Sequence, residues 1–400
     1  LNPPLSGSAN FSNDAANNRL VNTTNPYTFA NPFGTINPTL GTSANVLNTD
    51  NFQPQVNQWS FDVQRRLPFD MSLNVGYVGS STAHLDNTVE KNSPDPAFNT
   101  PTSTLQSRRP YQFINDNGVL RPLTRLRFLD SGGNSNYEGL QMTLQKRFRS
   151  GLSFSIAHTW SKTLMEGYGR NEGDGYNPNA YQNPRNRAAD RGRVGFDVTH
   201  NVVANFVYEL PFFKGTNNVF AKNVLGGWQT NGVATMRTGF PFTVTQGAIT
   251  NTANVTIRPD RIGIGSLSNP TVNQWFNPND FRLVSCQNTA IPELCRYGNS
   301  GMGILEGPGA KILDFSLFKN FQIHERVKLQ FRSEMYNLFN TPQFARPGGS
   351  LNTGGSFLPT RAADGSINYP SQANQVRGVG AITSTVSPNR QIQFGLKLLW

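Results

Sequence analysis

Residue types that could carry chemistry are few in this 400-residue chain and stand apart from one another. Segments 263–265 and 301–303 each contain two glycines, but neither lies between a strand and a helix, where a glycine loop binds phosphate. The acidic segment 171–175 has an incomplete set of calcium ligands, which favours an ordinary solvated loop. The four histidines show no metal-ligand spacing: His84, His158, His200 and His324. The sequence therefore predicts no catalytic site, no metal and no cofactor, and an enzyme is not expected.

The two cysteines, Cys286 and Cys295, lie close together in a polar segment. In an oxidising compartment they would form a disulfide that closes a small loop. Two free thiols are the alternative, and a metal site is disfavoured because no histidine lies nearby. We expect the disulfide.

One row of charged residues is a candidate for ligand contact. Lys328, Arg332 and Glu334 share the polar face of an alternating segment, and Asp314 lies on the polar face of the preceding one. In a barrel this row would line the lumen and could contact a plug or a substrate. A wall of mutually neutralising charges is the alternative, and it is favoured.

The elements that must position these residues are segments in which apolar and polar residues alternate. In the last of them, one face is entirely apolar: Ile392, Phe394, Leu396, Leu398 and Trp400. Side chains alternate between the two faces of a strand, so this segment is a strand with one apolar face that ends on an aromatic residue. Outer-membrane barrels end in this way, with an apolar lipid face and aromatic residues at the membrane interfaces.

The same alternation recurs in pairs of segments joined by short breaks, which is typical of antiparallel hairpins. The pairs are 56–66 with 71–79, 140–148 with 152–160, 202–210 with 228–237, and 313–317 with 327–335. Long polar connections separate these pairs: 81–136, 162–195, 247–310 and 341–388.

Short and long connections alternate strictly, so all short ones lie at one end of the strands and all long ones at the other. This asymmetry predicts an antiparallel transmembrane β-barrel with periplasmic turns and extracellular loops, whereas a β-sandwich would mix the two lengths. The pattern gives about nine strands, the first and last both descending. Residues 1–55 are polar and would belong to another extracellular connection. Because bacterial barrels have even strand numbers, we expect the C-terminal portion of a larger barrel.

Composition agrees with an all-β membrane protein. The hydrophobic fraction is 36% and the mean hydropathy is −0.46. No run approaches the ~20 apolar residues of a membrane helix. The net charge of +11 comes from scattered residues, which disfavours nucleic acid as a partner and suits outer-membrane lipid and an anionic lipopolysaccharide surface.

A series of motifs carries a family resemblance. In chain order these are Arg258-Pro259-Asp260-Arg261, Trp275-Phe276-Asn277-Pro278, Gly307-Pro308-Gly309, Lys319-Asn320-Phe321, the segment 330–340 and Arg390-Gln391-Ile392-Gln393-Phe394. The series resembles the C-terminal barrel of Oar-like TonB-dependent outer-membrane receptors. Met335-Tyr336 and the terminal Trp400 depart from the residues expected there.

The resemblance implies a barrel of about 22 strands with a plug. It also implies coupling to the TonB complex through an N-terminal segment that this sequence lacks. The terminal row from Ile392 to Trp400 resembles the signal recognised by the barrel-assembly machinery.

Two functions follow as hypotheses. The first is a receptor that moves a bulky substrate across the outer membrane, and the second is a surface structural or adhesion protein that acts through its long loops. A secreted soluble enzyme is disfavoured because no active site is found and the connections alternate.

Overall fold

The computed structural model describes residues 5–6, 12–14, 19–21, 42–100, 102–116, 119–166, 181–213, 220, 224–247, 257–287, 290–324, 327–372 and 378–400. The acidic segment 171–175, considered above for calcium, lies outside the described residues.

Nine long strands dominate the described part of the chain. They are β1 (Gln55–Leu67), β2 (Met71–Glu90), β3 (Val119–Arg149), β4 (Leu152–Glu166), β5 (His200–Glu209), β6 (Trp228–Arg237), β7 (Ala310–His324), β8 (Val327–Tyr336) and β9 (Gln391–Leu399). Four short strands join the same sheet: Leu5–Ser6, Thr42–Leu47, Phe113–Asp116 and Arg191–Arg193.

Each long strand pairs antiparallel with the next one along the chain, from β1 through to β9. Thr42–Leu47 is an exception in direction, because it pairs parallel with residues near the start of β3. The predicted all-β, antiparallel fold is therefore confirmed.

The tight turns have the backbone geometry that a twisted hairpin requires. Between β1 and β2, Phe69 and Asp70 have φ of 63° and 59°. Between β3 and β4, Ser150 and Gly151 have φ of 54° and 81°. Two consecutive positive φ angles are the requirement of a type I′ turn, whose twist matches that of the flanking strands.

The register keeps the apolar and polar residues on separate faces. Leu144 lies opposite Ile156 of β4 and Leu73 of β2, whereas Gln145 lies opposite Ser155 and Ser72. We call the face that carries Leu144 the outward face and the face that carries Gln145 the lumen face. Phe154 opposite Phe206 extends the outward face to β5, and Phe331 opposite Leu396 extends it to β9.

Gly232 in β6 has a packing role. A Cβ atom built on Gly232 would lie 2.4 Å from the ring of Phe206, its partner on β5. The ring therefore covers the backbone of the neighbouring strand, and a side chain at position 232 would displace it.

The long connections differ from the predicted boundaries. Strand pairing between β2 and β3 continues to Glu90 and Arg127, so the first connection is much shorter than the predicted 81–136. β4 likewise runs to Glu166, inside the predicted 162–195. A strand needs only about 9–11 residues to cross a bilayer, so these extensions lie beyond it, where pairing still satisfies the backbone. Thr42–Leu47 places a strand within the predicted 1–55 connection.

Among the described residues, no helix is long and apolar enough to span a membrane. Within that same part of the chain, β1 pairs only with β2 and β9 only with β8. The sheet is therefore open at both of these edges.

The two faces lead to a direct prediction. We expect Leu144→Arg to cost about 2–4 kcal/mol of unfolding free energy, because position 144 lies on the outward face near the middle of the transmembrane part of β3. Gln145→Arg is the matched control on the lumen face and should change stability little. Chemical denaturation of the full-length protein in lipid vesicles measures both; equal losses would refute the assignment of faces.

Candidate functional site

The structure spreads the predicted charged row over the lumen face instead of gathering it into one site. Arg332 of β8 places its guanidinium carbon 4.9 Å from the ring centroid of Phe318 on β7. Its Nε donates to Gln330 at 2.7 Å. This arginine is thus held by an aromatic ring and an amide rather than by a carboxylate.

The other members of the row have separate partners. Glu334 accepts from the side-chain amide of Gln393 on β9. Asp314 accepts from the backbone N–H of Asn337 at 2.8 Å. Among the described residues, Asp314, Lys328, Arg332 and Glu334 form no ion pair with one another.

A polar cleft of ≈ 360 Å³, which sequence reasoning missed, lies near the ends of β1, β2 and β3 that are opposite the tight turns. Its lining consists of Gln58, Trp59, Ser60, Val78, Gly79, Ser80 and Tyr137. Five of these, Gln58, Ser60, Val78, Ser80 and Tyr137, belong to the lumen face by strand alternation. Uncharged polar residues on alternate positions give a weak signal, which explains why the sequence did not single them out.

The long connections fold together above the strands. We call the described parts of 181–199, 238–309 and 337–390 the loop cap. Its apolar core draws residues from two of these connections, 238–309 and 337–390: Phe242, Val244, Phe276, Phe281, Leu283, Leu305, Leu351 and Val379. Phe276, from the Trp275–Pro278 motif, packs edge-on against Phe281 with ring centroids 5.9 Å apart. This motif therefore has a packing role in the cap.

A buried ion pair joins two of these connections. Arg258, from the Arg258–Arg261 motif, donates to the carboxylate of Asp190, and both side chains are nearly inaccessible to solvent. Its Nε also donates to the carbonyl of Ser300 at 2.6 Å. Burial raises the pKa of Asp190, although the charge and hydrogen bond of Arg258 oppose that shift. Removing either partner would leave a buried charge uncompensated, so the pair holds the cap in one arrangement.

Further polar contacts extend this junction. Gln182 donates its backbone N–H to Asp190 at 3.0 Å, and its side-chain amide donates to the carbonyl of Gly298 at 2.9 Å. Asp260 accepts two hydrogen bonds from Arg296, at 2.8 and 2.5 Å. The Arg-Pro-Asp-Arg motif is thus a structural tie between connections.

Two histidines that look isolated in the sequence meet in the structure. The Nε2 atom of His158 lies 3.2 Å from the Nδ1 atom of His200 on the adjacent strand. The ring of Trp160 also stacks on His200, with ring centroids 6.1 Å apart. No cluster of three or more metal-ligating side chains occurs in the part of the chain that the structure describes.

The terminal strand β9 presents its apolar row on the outward face. Leu396 is 71% exposed, and the ring of Phe394 stacks on Phe331 with centroids 6.1 Å apart. Trp400 lies just beyond the strand and is 90% exposed. Ile392 and Leu398 complete the exposed row.

Comparison with known proteins gives one family. The model of the outer membrane beta barrel domain matches residues 1–393. No curated protein sequence matches the chain.

Three solved structures are similar at low identity. The outer membrane transporter YddB from Escherichia coli is 7% identical, with a TM-score of 0.43 over 89% of this chain and 34% of that one. The ferric-catecholate import receptor Fiu from E. coli K12 is 11% identical, with a TM-score of 0.36 over 88% and 29%. The pyoverdine receptor FpvA from Pseudomonas aeruginosa is 9% identical, with a TM-score of 0.37 over 86% and 30%. The chain spans about a third of the length of these structures.

The cysteines of the loop cap yield a prediction. In the structure, Cys286 and Cys295 form a disulfide. We expect this bond in the mature protein, because the outer surface is oxidising and the bond closes a short loop. Mass spectrometry of unreduced peptides should detect the linked pair. Recovery of both thiols in alkylated form would contradict it.

Proposed function

This chain belongs to the outer membrane beta barrel domain family, and we propose that it forms the barrel portion of a TonB-dependent receptor in the outer membrane. Its function would be to move a bulky substrate across that membrane. The Oar-like motif series supports this assignment from the sequence.

The observation that carries the proposal is the pair of open edges. β1 and β9 run in the same direction, since eight successive antiparallel pairings separate them. Direct pairing of β1 with β9 would therefore be parallel, whereas bacterial single-chain barrels are antiparallel with even strand numbers. Further strands would complete the barrel, and a barrel with more strands has a wider lumen. A wide lumen suits a bulky substrate and requires a plug.

The arrangement of connections supports an orientation. The tight turns after β1 and β3 would face the periplasm, and the loop cap would face the outside. A substrate would first meet the cap and then the polar cleft near β1–β3. The row of Asp314, Lys328, Arg332 and Glu334 lies on the lumen face of β7 and β8 and would contact the plug or the passing substrate. TonB would bind a segment that precedes this part of the protein.

A surface structural or adhesion role is the second candidate. The specific observation in its favour is that the loop cap has its own apolar core and a buried ion pair, as a binding module would. Such a protein would need neither a plug nor a TonB-binding segment. The sequence upstream of this chain separates the two candidates.

A binding experiment tests the transporter proposal. We expect the full-length protein to bind the purified periplasmic domain of TonB, and deletion of its N-terminal TonB-binding segment should abolish this binding. Isothermal calorimetry in detergent measures both. If the full-length protein lacks such a segment and does not bind TonB, the adhesion role is the better explanation.

The terminal row gives a further prediction. We expect deletion of Trp400 to lower sharply the amount of full-length protein in the outer membrane, because the barrel-assembly machinery would recognise this aromatic residue. Leu396→Ala is the control, since it removes apolar contact in mid-membrane but leaves the terminus intact. Surface abundance measured by cell-surface biotinylation compares them. Normal abundance without Trp400 would assign the row a purely structural role.

A further inference from the structure

A second cleft, of ≈ 510 Å³, lies at the outer ends of β2, β3 and β4. Its lining consists of Tyr77, Glu138, Gly139, Leu140, Trp160, Ser161, Lys162, Arg193 and Thr199. Its size falls within the range typical of small-molecule sites. Neither the transport proposal nor the motif series assigns it a role.

Five of the nine lining residues, Tyr77, Glu138, Leu140, Trp160 and Lys162, lie on the outward face. Tyr77, Leu140 and Trp160 are register partners across the three strands. They lie an even number of residues from Leu73, Leu144 and Ile156, so they share the outward face with them. Glu138 and Lys162 are the next partners on this face, further from the tight turn.

The depth of the cleft corresponds to the outer membrane interface. Trp160 follows the start of β4 at Leu152 by eight residues. With a rise of about 3.3 Å per residue and a tilt near 40°, this spacing places Trp160 roughly 20 Å above the turn, close to the upper edge of an apolar band about 25 Å tall. Lys162 and its partner Glu138 lie two residues further from the turn, at that edge, where headgroups begin.

Three aromatic rings lie nearly parallel to one another at this level, and we call them the aromatic platform. The ring of Trp160 stacks on His200 with an interplanar angle of 11°, and His200 stacks on His158 with an angle of 17°. Trp160 is 54% exposed and Tyr77 is 39% exposed, so their faces are available to a ligand. Sugar rings stack their C–H faces on exposed aromatic rings, whose amphipathic character also suits a membrane interface.

The charges beside the platform are available as well. Lys162 and Glu138 are both exposed, and within the described residues neither makes an ion pair or a side-chain hydrogen bond to the other or to any residue of the cleft. Arg193, in contrast, is already bonded to Asp197 and to Thr199, both at 2.7 Å. Lys162 is therefore the cation of this cleft that can bind a phosphate oxygen, and Glu138 can accept from a sugar hydroxyl or amine.

We propose that this cleft binds the phosphorylated amino-sugar headgroup of an outer-leaflet glycolipid. The aromatic platform would receive the sugar, and Lys162 would contact the phosphate. The inference rests on the orientation given under Proposed function, but not on transport or on TonB.

Native mass spectrometry of the full-length protein in detergent tests the proposal, with bisphosphorylated lipid A, phosphatidylglycerol and inorganic phosphate as probes. We expect lipid A to bind about tenfold more tightly than phosphatidylglycerol, and inorganic phosphate to compete weakly. Trp160→Leu retains an apolar side chain at the interface, and Lys162→Gln removes the charge while retaining most of the side-chain length. Each substitution should lower lipid A affinity about tenfold. Lys311→Gln is the matched control, because Lys311 lies on the outward face near the outer end of β7.

Three results would overturn the proposal: equal affinity for lipid A and phosphatidylglycerol, full competition by inorganic phosphate, or equal losses in Lys162→Gln and Lys311→Gln. The first would indicate a general lipid contact and the second a simple anion site. Labelling of Ser356→Cys with a membrane-impermeant maleimide in whole cells checks the orientation independently. If Ser356→Cys is labelled and both cleft variants bind lipid A as tightly as the unaltered protein, the proposed lipid A site is wrong. That result would leave the transporter proposal unaffected.

Discussion

The rest of this structure depends on one constraint, that backbone N–H and C=O groups inside a bilayer must bond to a neighbouring strand. An unsatisfied group in hydrocarbon costs several kcal/mol, so strands can cross only as members of a continuous ladder. Neighbours in sequence are the cheapest partners to bring together because the loops that join them are short. The unbroken antiparallel series from β1 to β9 follows from this, and so do the paired positive φ angles at Phe69–Asp70 and Ser150–Gly151.

The same constraint explains how much of the fold could be predicted. All nine long strands were expected because each carries a period-two pattern that needs no knowledge of its partner. The continuation of β2 and β3 beyond the bilayer could not be foreseen, since the extension of β3 has apolar residues on both faces, such as Leu123 and Leu126, and therefore no clean alternation. The ion pair of Arg258 and Asp190 was equally hidden, because the two residues are 68 positions apart. The motif was visible in the sequence, but its partner was not. His158 and His200 meet for the same reason, through the register of β4 and β5.

The outward face shows how a charge is accommodated where the pattern forbids it. Lys319 lies on the apolar face of β7, opposite Trp228 and Phe331, yet it is only 2% exposed. Its ammonium donates to the carbonyl of Gly226 and lies 5.5 Å and 5.0 Å from the ring centroids of Trp228 and Phe321. The rings and the carbonyl replace the hydration that the ammonium loses. Lys146, also on the outward face, donates to the carbonyl of Phe69 in the turn between β1 and β2, at 2.8 Å.

The two parts of the molecule are therefore specified by different kinds of information. Any residue of suitable polarity and size can satisfy a position on a membrane strand, because the ladder itself is built from the backbone. In the loop cap, by contrast, the contacts are between particular side chains: Phe276 with Phe281, Arg258 with Asp190, and Arg296 with Asp260. A strand residue can be replaced by another of similar polarity with little loss of stability, whereas removing one partner of a buried ion pair destabilises the fold. This difference explains why the recognisable motifs of the chain concentrate in the cap and at the strand ends, while the strands between them are recognisable only by their alternation.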